Sequence, residues 1–389
     1  MTIDINELRV RQERFKTFVE QDPDNLNIIC ELVDIESQLG EFDQAREHLY
    51  QALAKWEQDP ALKFREATLD LATGNVESAS AILSNIREAG TDNPAIRHNH
   101  AFALCLLGNF EDAVELLWPF YEQKDLEPGS YLLLARALHH TGEMDKAIQC
   151  AADYLRLKPG DTEASGVLSM MYLDTEKYRE AREYAEQALG NDINNKEAII
   201  TLGSLALNET ELYSAEKYFT RALEAHPESG RAWTGLGLTQ MGNLNLEESR
   251  ATLLKAVELM PNHVGTWITL AWCQILLRDF AGALNSLKKA LALNRNFAET
   301  HGTLAVLEFF QGRKRNAIRR ARIAAKLDPY NFSGRFAEVL LNTNSNPSQA
   351  QNMLQGIFAT GVGQDGETLQ HVVQRSFRNL ARNRRRGKN

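Results

Sequence analysis

Apolar residues recur along this chain at helical spacing in short runs, and the runs themselves return every 34 residues. Leu202, Ala206 and Leu207 mark one face, and Ala215, Tyr218, Phe219, Ala222 and Leu223 mark the next. This is the i, i+3, i+4, i+7 recurrence of an amphipathic helix whose other side is polar. Each period therefore predicts two short helices joined as a hairpin. Steps of 34 from Ala45 land on Ala79, Ala113, Ala147, Ala181, Ala215, Ser249, Ala283 and Ala317, a small residue each time. A small side chain at a fixed place lets two helix backbones approach closely.

Other landmarks keep the same register. Thirteen residues before the ladder position stand Leu32, Leu134, Leu168, Leu202, Leu236, Leu270 and Leu304, suited to filling the seam between hairpins. Five before it stand Gly40, Gly74, Gly108, Gly142 and Gly312, where a positive φ would end the first helix. Twelve after it come Pro159, Pro227, Pro261 and Pro329, which punctuate the end of the second helix. The pattern resembles that of the tetratricopeptide repeat family, best matched by Trp233, Leu236, Gly237, Leu253, Ala256 and Pro261. The resemblance implies an all-α fold, a right-handed superhelical solenoid of tandem helix-turn-helix hairpins in which each unit buries its core only against its neighbours.

In this register nine hairpins span residues 26–331, starting near 26, 60, 94, 128, 162, 196, 230, 264 and 298. Residues 1–25, with Phe15, Phe18 and Pro23 at second-helix positions, are expected to form an N-terminal capping helix. Residues 332–359 are expected to form a degenerate tenth unit that keeps Ala350 and Leu354, and 360–366 a glycine-rich joint. Residues 367–389 are expected to form a basic amphipathic helix and tail. The second repeat departs furthest from the pattern, with Lys63 and Glu66 at apolar positions, so its first helix is expected to be rotated or irregular.

Members of the family line a concave groove with their first helices. Carried onto this chain, that rule gives an apolar strip of Ile200, Leu207, Leu238, Met241, Ile268, Trp272, Ile275, Val306 and Phe309. Two readings stay open: a groove for an amphipathic helix or extended apolar peptide, or burial between neighbouring helices. The Lys-and-Asn clamp with which some members grip an acidic C-terminal peptide has no match at these positions.

Charge adds a second theme. The formal net charge is −9, but residues 1–312 carry 28 basic and 48 acidic side chains whereas 313–389 carry 15 and 4. Arg313, Lys314, Arg315, Arg319, Arg320 and Arg322 fall on the ninth hairpin, and Arg375, Arg378, Arg382, Arg384, Arg385 and Arg386 surround or follow Leu369, Val372, Val373, Phe377 and Leu380. Burying those five apolar side chains is worth roughly 7–15 kcal/mol gross, so that face is expected to be covered. The candidates are the chain's own solenoid, a protein partner or anionic membrane surface, and nucleic acid. Few aromatic residues interleave with the arginines, which counts against nucleic acid.

Catalytic chemistry has no candidate. The chain contains no P-loop, HExxH, GxSxG or dinucleotide-binding turn. His98 with His100, and His139 with His140, are spaced wrongly for two imidazoles on one helix face, so neither a metal nor another cofactor is expected. Cys30, Cys105, Cys150 and Cys273 form no CxxC pair and are expected to be reduced core thiols. The charges Asp4, Glu7 and Arg9 argue against a secretory leader, and no run approaches the roughly 18 apolar residues of a membrane span. The combined expectation is a cytoplasmic, non-enzymatic scaffold, adaptor or chaperone-like protein that holds protein partners. The resemblance implies roles such as bacterial secretion, pilus or envelope assembly; the alternative is a regulatory or nucleic-acid-associated factor using the basic C-terminal region.

Overall fold

The amphipathic runs become twenty α-helices and no strand among the described residues, 5–342, of a computed structural model of the chain. The tail expected to be a degenerate second helix, a joint and a basic helix, with Arg375, Arg378, Arg382, Arg384, Arg385 and Arg386, lies outside the described residues.

The chain divides between Pro159 and Gly160 into two compact units. The first holds α1 (Ile5–Gln21), α2 (Leu26–Gln38), α3 (Phe42–Leu53), α4 (Pro60–Thr73), α5 (Val76–Glu88), α6 (Pro94–Leu106), α7 (Phe110–Glu122), α8 (Pro128–His140) and α9 (Met144–Leu157). The second holds α10 (Thr162–Asp174), α11 (Tyr178–Asn191), α12 (Lys196–Asn208), α13 (Leu212–Ala225), α14 (Gly230–Gly242), α15 (Leu246–Leu259), α16 (Val264–Leu276), α17 (Phe280–Leu293), α18 (Ala298–Phe310), α19 (Lys314–Leu327) and α20 (Phe332–Asn342). From α2 onwards they pair as hairpins, four in the first unit and five in the second, with α20 packed on α18 and α19.

The ladder residues sit where the helices of a hairpin touch. Ala45, Ala79, Ala113, Ala147, Ala181, Ala215, Ser249, Ala283 and Ala317 are all fully buried. At the first-helix ends Gly40, Gly74, Gly108, Gly142 and Gly312 take φ between 75 and 86°. The four remaining hairpins place Glu176, Thr210, Leu244 and Arg278 there, and these take the same left-handed conformation at φ of 59–64°. In every hairpin the next N–H donates to the carbonyl five residues back, as from Glu41 to Glu36 at 2.9 Å and from Asn245 to Gln240 at 2.9 Å. That bond defines a Schellman ending. Helix packing holds the turn even where no glycine favours it.

Hairpins are joined differently in the two units. In the first, charged arms cross the seams, Arg46 to Asp70 at 2.9 Å and Arg65 to Asp34 at 2.5 Å, while within the third hairpin the Arg97 guanidinium lies 3.7 Å from the Phe120 ring centre. The second keeps such arms, Arg182 to Glu209 at 2.8 Å and Arg231 to Asp174 at 3.0 Å, and adds small residues and hydroxyls at close range. Ser169 donates to Thr201 and Thr303 to Ser333, both at 3.1 Å, and Gly302 lies so close to Gly334 that a Cβ there would come within 2.3 Å of the Gly334 nitrogen.

Two local expectations change. The first helix of the second repeat, α4, is regular: Lys63 and Glu66 pair with each other at 2.9 Å, while Leu62, Ala67 and Leu69 supply the buried face. In α1 the buried residues are Leu8 and Gln12, whereas Phe18 is exposed with its ring edge against Phe15.

Candidate functional site

The apolar strip lies on the first helices of the second unit, and the structure separates it into two classes. Ile200 on α12, Ile268 and Ile275 on α16 and Val306 on α18 are 4%, 7%, 4% and 0% exposed. This corrects their expected place in an open groove: at these positions the helical phase turns the side chain into the hairpin core. Leu207, Leu238, Met241, Trp272 and Phe309 are half-buried and keep surface available.

Three of these half-buried residues rest on a buried cluster. Leu207 packs on the cluster of Ile199, Ile200 and Phe219, and Met241 on Leu253, Leu270 and Cys273. Trp272 touches two clusters, one around Leu287 and Leu307 and one around Val306 and Ala337. Its ring centre is 6.0 Å from that of Phe336 and 6.5 Å from that of Phe332, and those two rings stack at 6.0 Å. Phe332 is 49% exposed, so the aromatic group opens to the surface. Phe332 and Phe336 were absent from the expected strip. Their i, i+4 spacing at the start of the tenth unit was the available signal, because that spacing puts both rings on one helix face.

The surroundings are electrically quiet. No residue of α16 is charged, and its Gln274 is buried, accepting from Ser286 at 2.8 Å. Glu308 on α18 faces Arg313 at 3.6 Å. The surface therefore offers aromatic and aliphatic contacts around a few polar groups, which suits an apolar side-chain row better than a charged ligand.

The ninth hairpin places its cations differently. Arg313, Lys314, Arg315, Arg319 and Arg322 are exposed along α19, while Arg320 is half-buried and reaches His301 Nδ1 at 3.2 Å.

Candidate chemistry elsewhere resolves into structure. His98 pairs with the Ser130 hydroxyl at 3.0 Å, and His100 with Arg87 at 3.4 Å. Burial lowers the pKa of both imidazoles. All four cysteines are free, and burial pushes the Cys105 thiol up to about 11 and the Cys150 thiol up to about 12, far from a reactive thiolate. No group of three or more His, Cys, Asp or Glu side chains is arranged for a metal among the described residues. No described helix is long and apolar enough to cross a membrane.

Repeated helical hairpins of one register, carrying surface side chains and no assembled catalytic group among the described residues, define a helical-repeat protein. The chain belongs to the tetratricopeptide repeat family: the model described as tetratricopeptide repeat protein 21 N-terminal ARM repeat matches residues 71–284, and a tetratricopeptide repeat model matches residues 37–98. The TPR repeat-containing protein YpiA of Bacillus subtilis (strain 168) is 24% identical over 205 residues, covering 51% of this chain and 48% of that protein. The chain thus matches about half the length of this curated relative. Among solved structures, the human IFIT1 dimer with m7Gppp-AAAA is similar at a TM-score of 0.58 and 16% identity, over 98% of this chain and 96% of that one. The APC/C hetero-tetramer Cut9-Hcn1 is similar at 0.51 and 12%, over 90% and 81%. At such identities the likeness is one of fold. Tetratricopeptide repeat proteins generally act as protein-interaction scaffolds, and the fold is typically non-catalytic.

Proposed function

We propose that this chain is a non-catalytic adaptor that holds an apolar helix or extended peptide of a protein partner on the first-helix surface of its second unit. The supporting observation is the Trp272–Phe332–Phe336 group, whose rings are anchored on one side by buried Val306 and Ala337 and open on the other through Phe332. Leu207, Leu238, Met241 and Phe309 supply further half-buried apolar surface on α12, α14 and α18. Anchored aromatics surrounded by weaker contacts form the usual energetic centre of a recognition surface. The finer reading is a chaperone-like or scaffold role in the cytoplasm, of the kind used in secretion, pilus or envelope assembly.

The test is affinity capture from native extract with the full chain, with Trp272→Ala and with a chain truncated after Gly366. Trp272→Ala is expected to lower capture at least tenfold, about 1.4 kcal/mol, while circular dichroism keeps its helical amplitude. Unchanged capture would remove the aromatic group from the site. Increased capture after truncation would make residues 367–389 a competitor for the surface, and abolished capture would make them the recognition element.

A further inference from the structure

Second helices in this chain follow an electrostatic rule that α19 breaks. The eight others, α3, α5, α7, α9, α11, α13, α15 and α17, begin with a carboxylate at the N-cap or in the first turn, from Glu41 and Asp43 at α3 to Asp279 at α17. A negative group there complements the positive end of the helix dipole. Helix α19 begins with Arg313, Lys314 and Arg315 at that end and contains no carboxylate in its fourteen residues. Cations in this position oppose the dipole, so folding alone does not account for them.

These cations are also left over. On several other second helices basic side chains find acids, as Arg46 does with Asp70, Arg182 with Glu209, and Lys255 with Glu258. On α19, Arg313 faces Glu308 and Arg320 faces His301, but Lys314, Arg315, Arg319, Arg322 and Lys326 have no ion-pair partner among the described residues. Arg315, Arg319, Arg322 and Lys326 are spaced i, i+4, i+7, i+11 and form one stripe about 16 Å long. The preceding second helix, α17, adds exposed Lys288 and Lys289 and has no acid within it.

We propose that the outer face of α19 binds single-stranded nucleic acid, with this stripe following the phosphate backbone. Five of the seven cations from 313 to 326 are arginines, whose planar forks suit phosphate oxygens and stack on bases. Tyr330, just beyond Lys326, is 79% exposed and offers an unoccupied ring for base stacking. A bilayer surface fits less well, because the small apolar face of α19, Ala317, Ala321 and Ala324, is already buried and cannot insert. An acidic polypeptide would pair with the arginine forks as well, but would leave the exposed Tyr330 ring without a base to stack on.

The experiment is fluorescence anisotropy of a labelled oligouridine against the full-length protein across a salt series. Four phosphate contacts predict a slope of log K on log salt near −2.8, at about −0.7 per contact, and Arg319→Gln with Arg322→Gln should bring it to about −1.4. Both side chains are exposed, so helical content should stay unchanged. Arg384→Gln, Arg385→Gln and Arg386→Gln together should leave the difference caused by the α19 pair intact. Tyr330→Ala should weaken binding about fivefold without changing the slope. The proposal is overturned if the α19 double variant binds as tightly and as salt-sensitively as the parent. It is also overturned if vesicles rich in phosphatidylserine, or polyglutamate, bind the α19 face more tightly than the oligonucleotide.

Discussion

The two units build the same hairpin with different chemistry. In the first, the turns carry glycine at 40, 74, 108 and 142, and long charged side chains cross the seams. In the second, four turns carry Glu176, Thr210, Leu244 and Arg278 in a conformation costing about 1–2 kcal/mol for a residue with a Cβ. There glycines and hydroxyls meet at close range across the seams, beside the ion pairs of Arg182 with Glu209 and Arg231 with Asp174. The contrast shows that the 34-residue frame is set by interior packing, and that turns and seams are free to vary around it. The unit that accepts turn strain also places the partly exposed aromatic group beside its core.

Substitutions can break this contrast in order of size. Ile268→Asp should unfold the second unit, since an unpaired charge in its core costs about 4 kcal/mol; urea titration followed by tryptophan fluorescence in a Trp56→Phe, Trp118→Phe background, which leaves Trp233, Trp267 and Trp272 in that unit, reads it. Trp272→Ala should leave that transition cooperative, separating binding from folding. Gly302→Ala is expected to cost about 2–3 kcal/mol, because the new Cβ meets backbone that cannot move aside as a side-chain tip would. Thr210→Gly should instead raise second-unit stability by about 1 kcal/mol, whereas Gly108→Ala should lower first-unit stability by a similar amount, both measured as shifts in thermal midpoint.

The smallest effect is one of pH. His263 caps α16 by accepting from the Thr266 N–H at 3.2 Å, and burial, followed by the Arg231 charge, holds its pKa below the ordinary 6.5. The unfolded chain takes up that proton first, so stability falls as pH drops below 6.5. His263→Asn keeps a cap and should flatten this acid limb in the second unit. In the first unit His48 has the opposite sign: its hydrogen bond to buried Glu36, at 2.8 Å, raises its pKa. Its contribution is complete below 6.5 and is lost as pH rises through the raised value, so His48→Gln should remove a decline on that alkaline side.

Much of the fold was legible because small residues at contact points leave a strict period, and Ala45 through Ala317 are buried wherever the period puts them. The left-handed turns at Glu176, Thr210, Leu244 and Arg278 were not legible, because nothing in those side chains favours positive φ; the surrounding helices impose it. The strip was half legible. Spacing located the helices of Ile200, Ile268, Ile275 and Val306 but not their final rotation, since a first helix touching its partner and both flanking hairpins has little truly outward face. Phe332 and Phe336 escaped because their partner, Trp272, lies a full sixty residues earlier in sequence. The division after Pro159 was equally hidden, as Pro227, Pro261 and Pro329 occupy the same place in other repeats.

The shared Schellman ending has one more consequence. Because each hairpin leaves its turn along the same backbone path whatever the residue, the junction is a common coupling between parts. Excising one whole 34-residue period inside the second unit, from one such turn to the next, brings together two chain ends already shaped to continue each other. The array is thus built to lengthen or shorten by whole modules, a route by which gene-level duplication can change its reach without inventing a new joint.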